Sequence, residues 1–276
     1  MDKSTPFFSV VIPTLNEEHV VPKLLRCLTH QLDKDFEVII VDGTSRDKTI
    51  SIAKTFEEFL PLTIVVSDRH NISADRNLGA RHAFGQYLVF LDADVTIPTN
   101  FLSEIHHHLT ETKPPCQFLT AWMKPDSRRN SDRLIATFAN ISMDIAKDTP
   151  QPLVAGWTIV LKKTVFDKVN GFDEKVKLAE DHDLARRLYQ TGVHLQVLKN
   201  PKVTVSFRRF RREGTFNLVK KYAFATAKIF FEGPITEKIF DYPMGGKVPR
   251  VPRLNIQTRL KKYLRFLRTF PTSGTN

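Results

Sequence analysis

The chain has 276 residues, 41% of them hydrophobic and 26% charged, with 16 Pro and 11 Gly. That composition builds one large globular core and excludes collagen-like and low-complexity architectures. The formal net charge of +11 is unevenly placed: residues 242–276 hold eight basic and no acidic side chains, residues 199–228 hold nine basic and one acidic, and the rest is slightly acidic. Two basic stretches on an acidic body point to an anionic partner met on one side; nucleic acid, a phospholipid surface and a phosphorylated substrate are the classes to separate. Cys27 and Cys116 make neither a disulfide framework nor, by themselves, a metal cluster, and a reducing cytoplasm is the expected compartment. No run approaches the roughly 18 apolar residues of a spanning helix. The apolar stretch at residues 7–15 is cut by Ser9, Pro13 and Thr14, so neither membrane spanning nor a signal peptide is expected.

Along the chain, strands and helices alternate. Residues 7–13 (FFSVVIP) are a short apolar run rich in β-formers and bounded by proline, which predicts a buried strand. Val20, Val21, Leu24, Leu25 and Leu28 then recur at helical spacing behind Asn16, a good N-cap residue. Residues 36–41 (FEVIIV) predict a second strand, 49–59 a second helix, 62–66 a third strand, 73–84 a third helix and 87–91 (YLVFL) a fourth strand. Phe101, Leu102, Ile105 and Leu109 mark another helix. From about residue 115 the rhythm loosens, with strands expected at 118–123, 154–161, 194–198 and 202–207 and helices at 131–146 and 180–191. The alternation argues for an α/β fold with a mostly parallel sheet covered by helices on both faces. It fills a single domain over residues 1–235, followed by a basic extension over 236–276.

Open α/β sheets bind ligands beyond the carboxyl ends of their strands. The segments there are Pro13-Thr14-Leu15-Asn16-Glu17-Glu18 after the first strand, Asp42-Gly43-Thr44-Ser45 after the second and Asp92-Ala93-Asp94 after the fourth. Acidic residues on one sheet edge repel each other unless a cation or a donor-rich ligand sits among them. In extended backbone, residues two apart point to one side, so Asp92 and Asp94 can approach one ion. Their hard oxygens suit Mg²⁺ or Mn²⁺ sharing its shell with substrate phosphates. An Asp turn capping the next helix is the competing account of the same tripeptide. In the helix opening at Glu180, Asp181 shares a stripe with Leu184, Ala185 and Leu188, which predicts that it faces inwards, where a carboxylate needs a partner or a task. A helix-start acid favoured by the macrodipole is the alternative. Asp183 falls with Arg186, Arg187 and Gln190 and is expected in water.

Together these segments resemble glycosyltransferase family 2, whose members have the GT-A fold, Rossmann-like in its parallel strands. The matching stretches are VVIPTLNEE at 10–18, VDGTSRDKT at 41–49, RNLGARHAFGQYLVFLDADV at 76–95, AGWTIVLKK at 155–163, GFDE at 171–174 and EDHDLARRL at 180–188. Any one is weak; six in family order over roughly residues 7–210 are specific. The resemblance implies an inverting, non-processive, hexosyltransferase-type transfer of one sugar from a UDP- or GDP-type nucleotide-sugar donor. The QxxRW motif and the membrane helices of processive synthases are both missing. By the same resemblance Pro13, Asn16 and Glu17 would line the nucleotide site, Asp42 would bind the base with Arg76 beside it, and Asp92 would face the ribose and metal. Asp94 would bind Mg²⁺ or Mn²⁺ directly, and Asp181 would be the catalytic base. Such a reaction needs a carboxylate to take the acceptor hydroxyl's proton and a divalent ion to neutralise the departing nucleoside diphosphate. Two departures stand out. Thr44 occupies a position usually held by Gly, and Thr does not take φ > 0 cheaply, so a differently shaped loop is expected. Residues 205–209 read Val-Ser-Phe-Arg-Arg where many members carry a His.

Other features have plainer readings beside the functional ones. His106, His107 and His108 splay by about 100° per residue on a helix and cannot converge on one ion, so a solvated face is expected. Arg208, Arg209, Arg211 and Arg212 form either a clamp for a diphosphate or lipid phosphate, or an exposed charge run. Trp157 suits a sugar-stacking platform or the core, with Glu180 on the acceptor side. Residues 254–276 place Ile256, Leu260, Leu264 and Leu267 on one helical face and Arg259, Lys262 and Arg265 on the rest. This is the pattern of an in-plane helix on an anionic membrane, behind a proline-punctuated spacer at 248–253; packing on the domain is the alternative. The expected acceptor is a glycan or lipid-linked saccharide, and the expected place the cytoplasm, with peripheral contact at the inner membrane face. A catalytically impaired sugar-nucleotide-binding relative is the rival reading. A nucleotidyltransferase would need a Gly-rich basic loop where residues 13–18 are acidic, and nucleic-acid binding lacks its aromatic platforms.

Overall fold

In the computed structural model, residues 5–69, 71–154, 156–237, 239–240 and 245–246 are described. The strands are β1 (Phe8–Thr14), β2 (Phe36–Asp42), β3 (Leu62–Val66), β4 (Tyr87–Leu91), β5 (Val95–Thr96), β6 (Phe118–Pro125), β7 (Thr158–Lys162) and β8 (Gln196–Val205). The helices are α1 (Val21–Thr29), α2 (Thr49–Lys54), α3 (Ile72–His82), α4 (Phe101–Glu111), α5 (Asn130–Ala146), α6 (Lys163–Lys168), α7 (Glu180–Gln190), α8 (Arg208–Glu213) and α9 (Thr215–Glu232). All eight strands form one sheet in the order β3-β2-β1-β4-β7-β6-β8-β5. β1 lies between β2 and β4, with Val10 opposite both Val38 and Val89, and these strands and β3 run parallel. β7 then pairs antiparallel with β4 and with β6, β6 runs parallel to β8, and the short β5 closes the edge antiparallel to β8.

The central parallel strands β1, β2 and β4 are buried on both faces, which is why they read as unbroken apolar runs, while β3 at the edge is half-buried. Alternate residues of β1 serve different layers: Val10 and Ile12 pack with Leu24, Leu25 and Leu28 of α1 and Leu102 of α4, while Val11 packs with Ala80 of α3 and Leu184 and Leu188 of α7. The sheet is therefore mostly parallel and helix-covered on both faces, as expected. Two details differ. The two strands expected at 194–198 and 202–207 are one, β8, and the helix expected at 49–59 ends at Lys54. Asn16 is not a helix cap; α1 starts at Val21, with Pro22 in its first turn, and the Asn16 side chain accepts instead from the Arg46 N–H at 2.9 Å. The amphipathic segment 254–276 and its spacer lie outside the described residues. Among those described, no helix is long and apolar enough to cross a membrane.

Close packing of α3 on β1 depends on Gly79. A Cβ there would overlap Val11 Cγ1 and stand 3.0 Å from Val41 Cγ2, both in the buried strands. Gly79→Ala is expected to cost about 1–3 kcal/mol through overpacking, read as a lower midpoint of urea unfolding.

Candidate active site

The carboxyl ends of β1 and β2 are tied together by one carboxylate. Asp42, fully buried, accepts from Thr14 Oγ1 at 2.9 Å, from the Ser45 N–H at 2.7 Å and from Ser45 Oγ at 2.7 Å. The Asn16 N–H donates to Ser45 Oγ at 2.7 Å, and the Glu17 N–H to Thr49 Oγ1 at 2.8 Å. Pro13, opposite Val41, holds the last turn of β1 in register. Thr44 does adopt the left-handed region, at φ 64°, so the loop keeps the shape that a glycine would give it, at a local strain of order 1–2 kcal/mol. Asn16, at φ 54°, does the same more cheaply.

At the end of β4 the arrangement turns electrostatic. Arg76 of α3, 2% exposed, donates to Asp92 Oδ1 and the Gly156 carbonyl at 3.0 Å each and to Glu180 Oε1 at 2.7 Å. Its guanidinium also stands 5.2 Å from the centre of the Phe172 ring. Burial lifts the Asp92 carboxyl to about 6; Arg76 opposes this, while Asp94 and Asp181 add to it. Burial also raises Asp94 and Glu180, against the pull of Arg208 and Arg76 respectively. Asp181 lies beside this group with Oδ2 2.8 Å from where a Cβ on Gly156 would stand, so Gly156 leaves the space the carboxylate uses.

The third part of the site comes from α8. Arg208 donates to both oxygens of the buried Glu17, at 2.7 and 2.5 Å, and its Nε lies 3.0 Å from Asp94 Oδ2. It is held charged by these two acids despite its own burial. The arginine cluster is thus neither one clamp nor a solvated run: Arg211 pairs with both oxygens of Asp126, and Arg212 donates to the Gly246 carbonyl. The Gly246 N–H in turn donates to the Leu15 carbonyl at 3.1 Å. A Cβ on Gly245 or Gly246 would run into the carbonyl oxygens of Leu15 and Asn16, so the two glycines lie flat on the β1 loop. Trp157 packs partly buried between two core clusters, and its Nε1 is buried with no hydrogen-bond partner among the described residues.

The sequence reading of Asp183 is corrected here. It is 5% exposed, not solvated, and pairs with Arg186 and Arg187 at 2.8 Å each; Arg187 also reaches the Val169 carbonyl. The helical stripe was right for Leu184, Ala185 and Leu188, all fully buried, but the neighbouring face that carries Asp183 is also covered, with Gln151, Ile229 near the end of α9, and Gly233 and Pro234 just after it alongside. The histidines do diverge: His106 stacks on Phe7 and meets Asp33 at 2.6 Å, and His108 meets Gln196 at 2.6 Å. Asp126 and the Gly245-Gly246 pair were not singled out from sequence. The adjacent glycines were the available signal, since such pairs mark close backbone approach; Asp126 carried none.

Among solved structures, S. aureus TarS 1-349 in complex with UDP-GlcNAc superposes with a TM-score of 0.60 at 23% identity, over 72% of this chain and 58% of that one. The mannosyltransferase PcManGT from Pyrobaculum calidifontis, in complex with GDP-Man and Mn²⁺, gives a TM-score of 0.60 at 24% identity, over 82% and 65%. The architecture is GT-A. An uncharacterized glycosyltransferase of Haemophilus influenzae is 27% identical over 191 residues, 66% of this chain and 62% of the relative. The sequence profile of Glycosyl transferase family 2 matches residues 9–169, and the chain belongs to that family. It spans less than two thirds of the length of each of these three relatives.

Two substitutions probe the supports. Asp183→Asn leaves two arginines half-paired against the domain and should destabilise by about 3 kcal/mol, the lower end for a broken buried pair because both arginines reach water. Asp126 anchors α8 at a partly exposed position. Burial raises its carboxyl, but the Arg211 bonds and the Phe207 N–H outweigh that and hold it below the ordinary range. A depressed folded value means stability present above the unfolded value of about 3.9 and lost as pH falls through the folded one. Asp126→Asn should cost about 1 kcal/mol at neutral pH, and the gap to wild type in urea unfolding should close below about pH 3.

Proposed function

We propose that the chain is an inverting glycosyltransferase that moves one sugar from a UDP- or GDP-type nucleotide sugar to an acceptor hydroxyl. The observation that carries this reading is the meeting of Asp92, Glu180 and Asp181 around the buried Arg76 at the carboxyl edge of the parallel strands, with Asp94 beside Asp92 and held by Arg208. Family membership and the donors named for the two structural neighbours support it.

In this reading Pro13, Asn16 and Glu17 form the floor for the nucleotide, and Asp42 shapes the loop that meets the base. Asp181 accepts the proton of the attacking hydroxyl; its Oδ1 is oriented by the His182 N–H at 2.9 Å. Glu180 and Asp92 hold Arg76, which sets where Asp181 stands. Arg208 and Arg209 face the diphosphate, and Trp157, with its unmatched N–H, faces the acceptor.

The residues present fit a divalent cation. Asp92 and Asp94 offer hard oxygens, their raised carboxyl values mark a place short of positive charge, and a diphosphate supplies the remaining ligands that Mg²⁺ or Mn²⁺ usually takes from substrate. Among the described residues no group of three or more His, Cys, Asp or Glu is placed to hold a metal ion by itself. Bound there, the cation would neutralise charge on the leaving diphosphate. The acceptor is read as a glycan or lipid-linked saccharide at the cytoplasmic face of an anionic membrane, on the strength of the basic stretches.

Asp181→Asn should lower transfer by roughly 10²–10⁴-fold while nucleotide binding survives. Asp94→Ala should abolish the Mn²⁺-dependent part of nucleoside diphosphate binding in calorimetry. An active Asp181→Asn enzyme would remove the base assignment. Donor binding without turnover in the wild type would instead identify a sugar-nucleotide-binding relative.

A further inference from the structure

Helix α5 carries its polarity reversed, and α9 beside it leaves most of its aromatic residues in water. α5 buries Asp132, Ala136, Asn140 and Met143, and turns Leu134, Phe138, Ile141 and Ile145 outwards at 46–73% exposure. Its inward polar groups are built in: Asn140 bonds both the N–H and the carbonyl of Met123 at 2.9 Å, beside the irregularity in β6, and Asp132 accepts from Ser127 and Ser131. α9 is exposed nearly all round: of its 18 residues Leu218 and Ala225 alone are buried. Lys221 and Lys228 turn to Glu213 and Glu232, while Phe216, Phe224, Phe230 and Phe231 stand 58–81% exposed. Phe210 of α8 packs on the α5 cluster and meets the Tyr222 ring of α9, so the two helices belong to one side of the molecule.

Apolar surface on this scale marks an interaction site, and charge decides what covers it. Arg128, Arg129 and Arg133 are exposed at the start of α5, and Lys220 is exposed on α9. Of the acids at the rim, Asp144 and Glu232 are paired with lysines, while Asp148, just beyond α5, is exposed, so the cations still outnumber the unpaired acids. A second copy would bring the same cations, and residues 242–276 hold eight more with no acid, so the chain's own C-terminal stretch is repelled as well. An anionic lipid surface satisfies both the apolar and the cationic halves of the pattern.

We propose that α5 and α9 form a membrane-docking face, whose Phe, Leu and Ile side chains enter the headgroup–acyl boundary of an anionic bilayer. Trp157 packs in the same cluster as Ile135, Ala139 and Phe210, so the face adjoins the acceptor side of the site. The inference rests on the membrane-proximal acceptor reading, and names the surface that achieves it.

The test is co-sedimentation of the full chain with phosphatidylcholine vesicles, with and without phosphatidylglycerol, at low and high salt. Wild type should bind the anionic vesicles, more weakly at high salt. Phe138→Asp combined with Phe230→Asp should lower partitioning roughly tenfold or more, with the melting temperature and Mn²⁺-nucleotide binding unchanged. Binding that survives this pair but is lost in Arg259→Gln, Lys262→Gln, Arg265→Gln would overturn the helix face and leave membrane contact to the C-terminal stretch. No wild-type binding at low salt overturns both. A dimer in light scattering that the Phe138 and Phe230 substitutions dissociate, without vesicle binding, gives the face to a second copy.

Discussion

A guanidinium sealed from water is the constraint on which the site rests. Arg76 gives up its hydration, a cost of several kcal/mol, and holds its place because Asp92, Glu180 and the Gly156 carbonyl surround it. Those partners come from the end of β4, the start of α7 and the turn before β7, so one side chain fixes where three segments meet α3. Its own position depends in turn on Gly79, one turn along, which lets α3 settle on β1. A sheet edge carrying several acids is tolerable because this cation lies beneath it.

The balance is still tilted. Around Arg76 and Arg208 stand Glu17, Asp92, Asp94, Glu180 and Asp181, more acids than guanidinium groups. Burial pushes Asp92, Asp94 and Glu180 up, and the neighbouring acids add to that rise against the pull of the guanidinium groups. A divalent cation entering with a diphosphate brings nearly no net charge, yet lets the surplus acids and the guanidinium groups each find a counter-charge. Arg208, spanning Glu17 and Asp94, bridges the β1 loop to the end of β4.

Much of this was legible beforehand, and the exceptions have physical causes. The apolar runs gave the parallel strands almost to the residue, because strands buried on both faces leave no ambiguity of period. The strand at β7 was expected, at 154–161, but its antiparallel direction left no mark, since direction is not written in hydrophobicity. Asp183 misled because a stripe of charges on a helix looks solvated whatever later covers it. Thr44 misled because propensity describes a residue alone, while the Asp42 network dictates the turn around it. α9 escaped notice for the reason that makes it informative: its apolar residues face outwards, so no core-facing stripe picks it out. That acids gather at the carboxyl ends of the strands was legible; that Arg208 crosses between two of them, Glu17 and Asp94, was not.

The contact of Gly245 and Gly246 with the Leu15 and Asn16 carbonyls has a consequence in the genetic code. Every single-base change in a glycine codon that alters the residue yields either a stop or a side chain bearing a Cβ, and a Cβ at either place meets backbone rather than a movable side chain. Neither position therefore has a mild neighbour in mutational space. A short piece of chain far from β1 in sequence is thus bound to the same heritable constraint as the loop it rests on, although it contributes no functional group of its own.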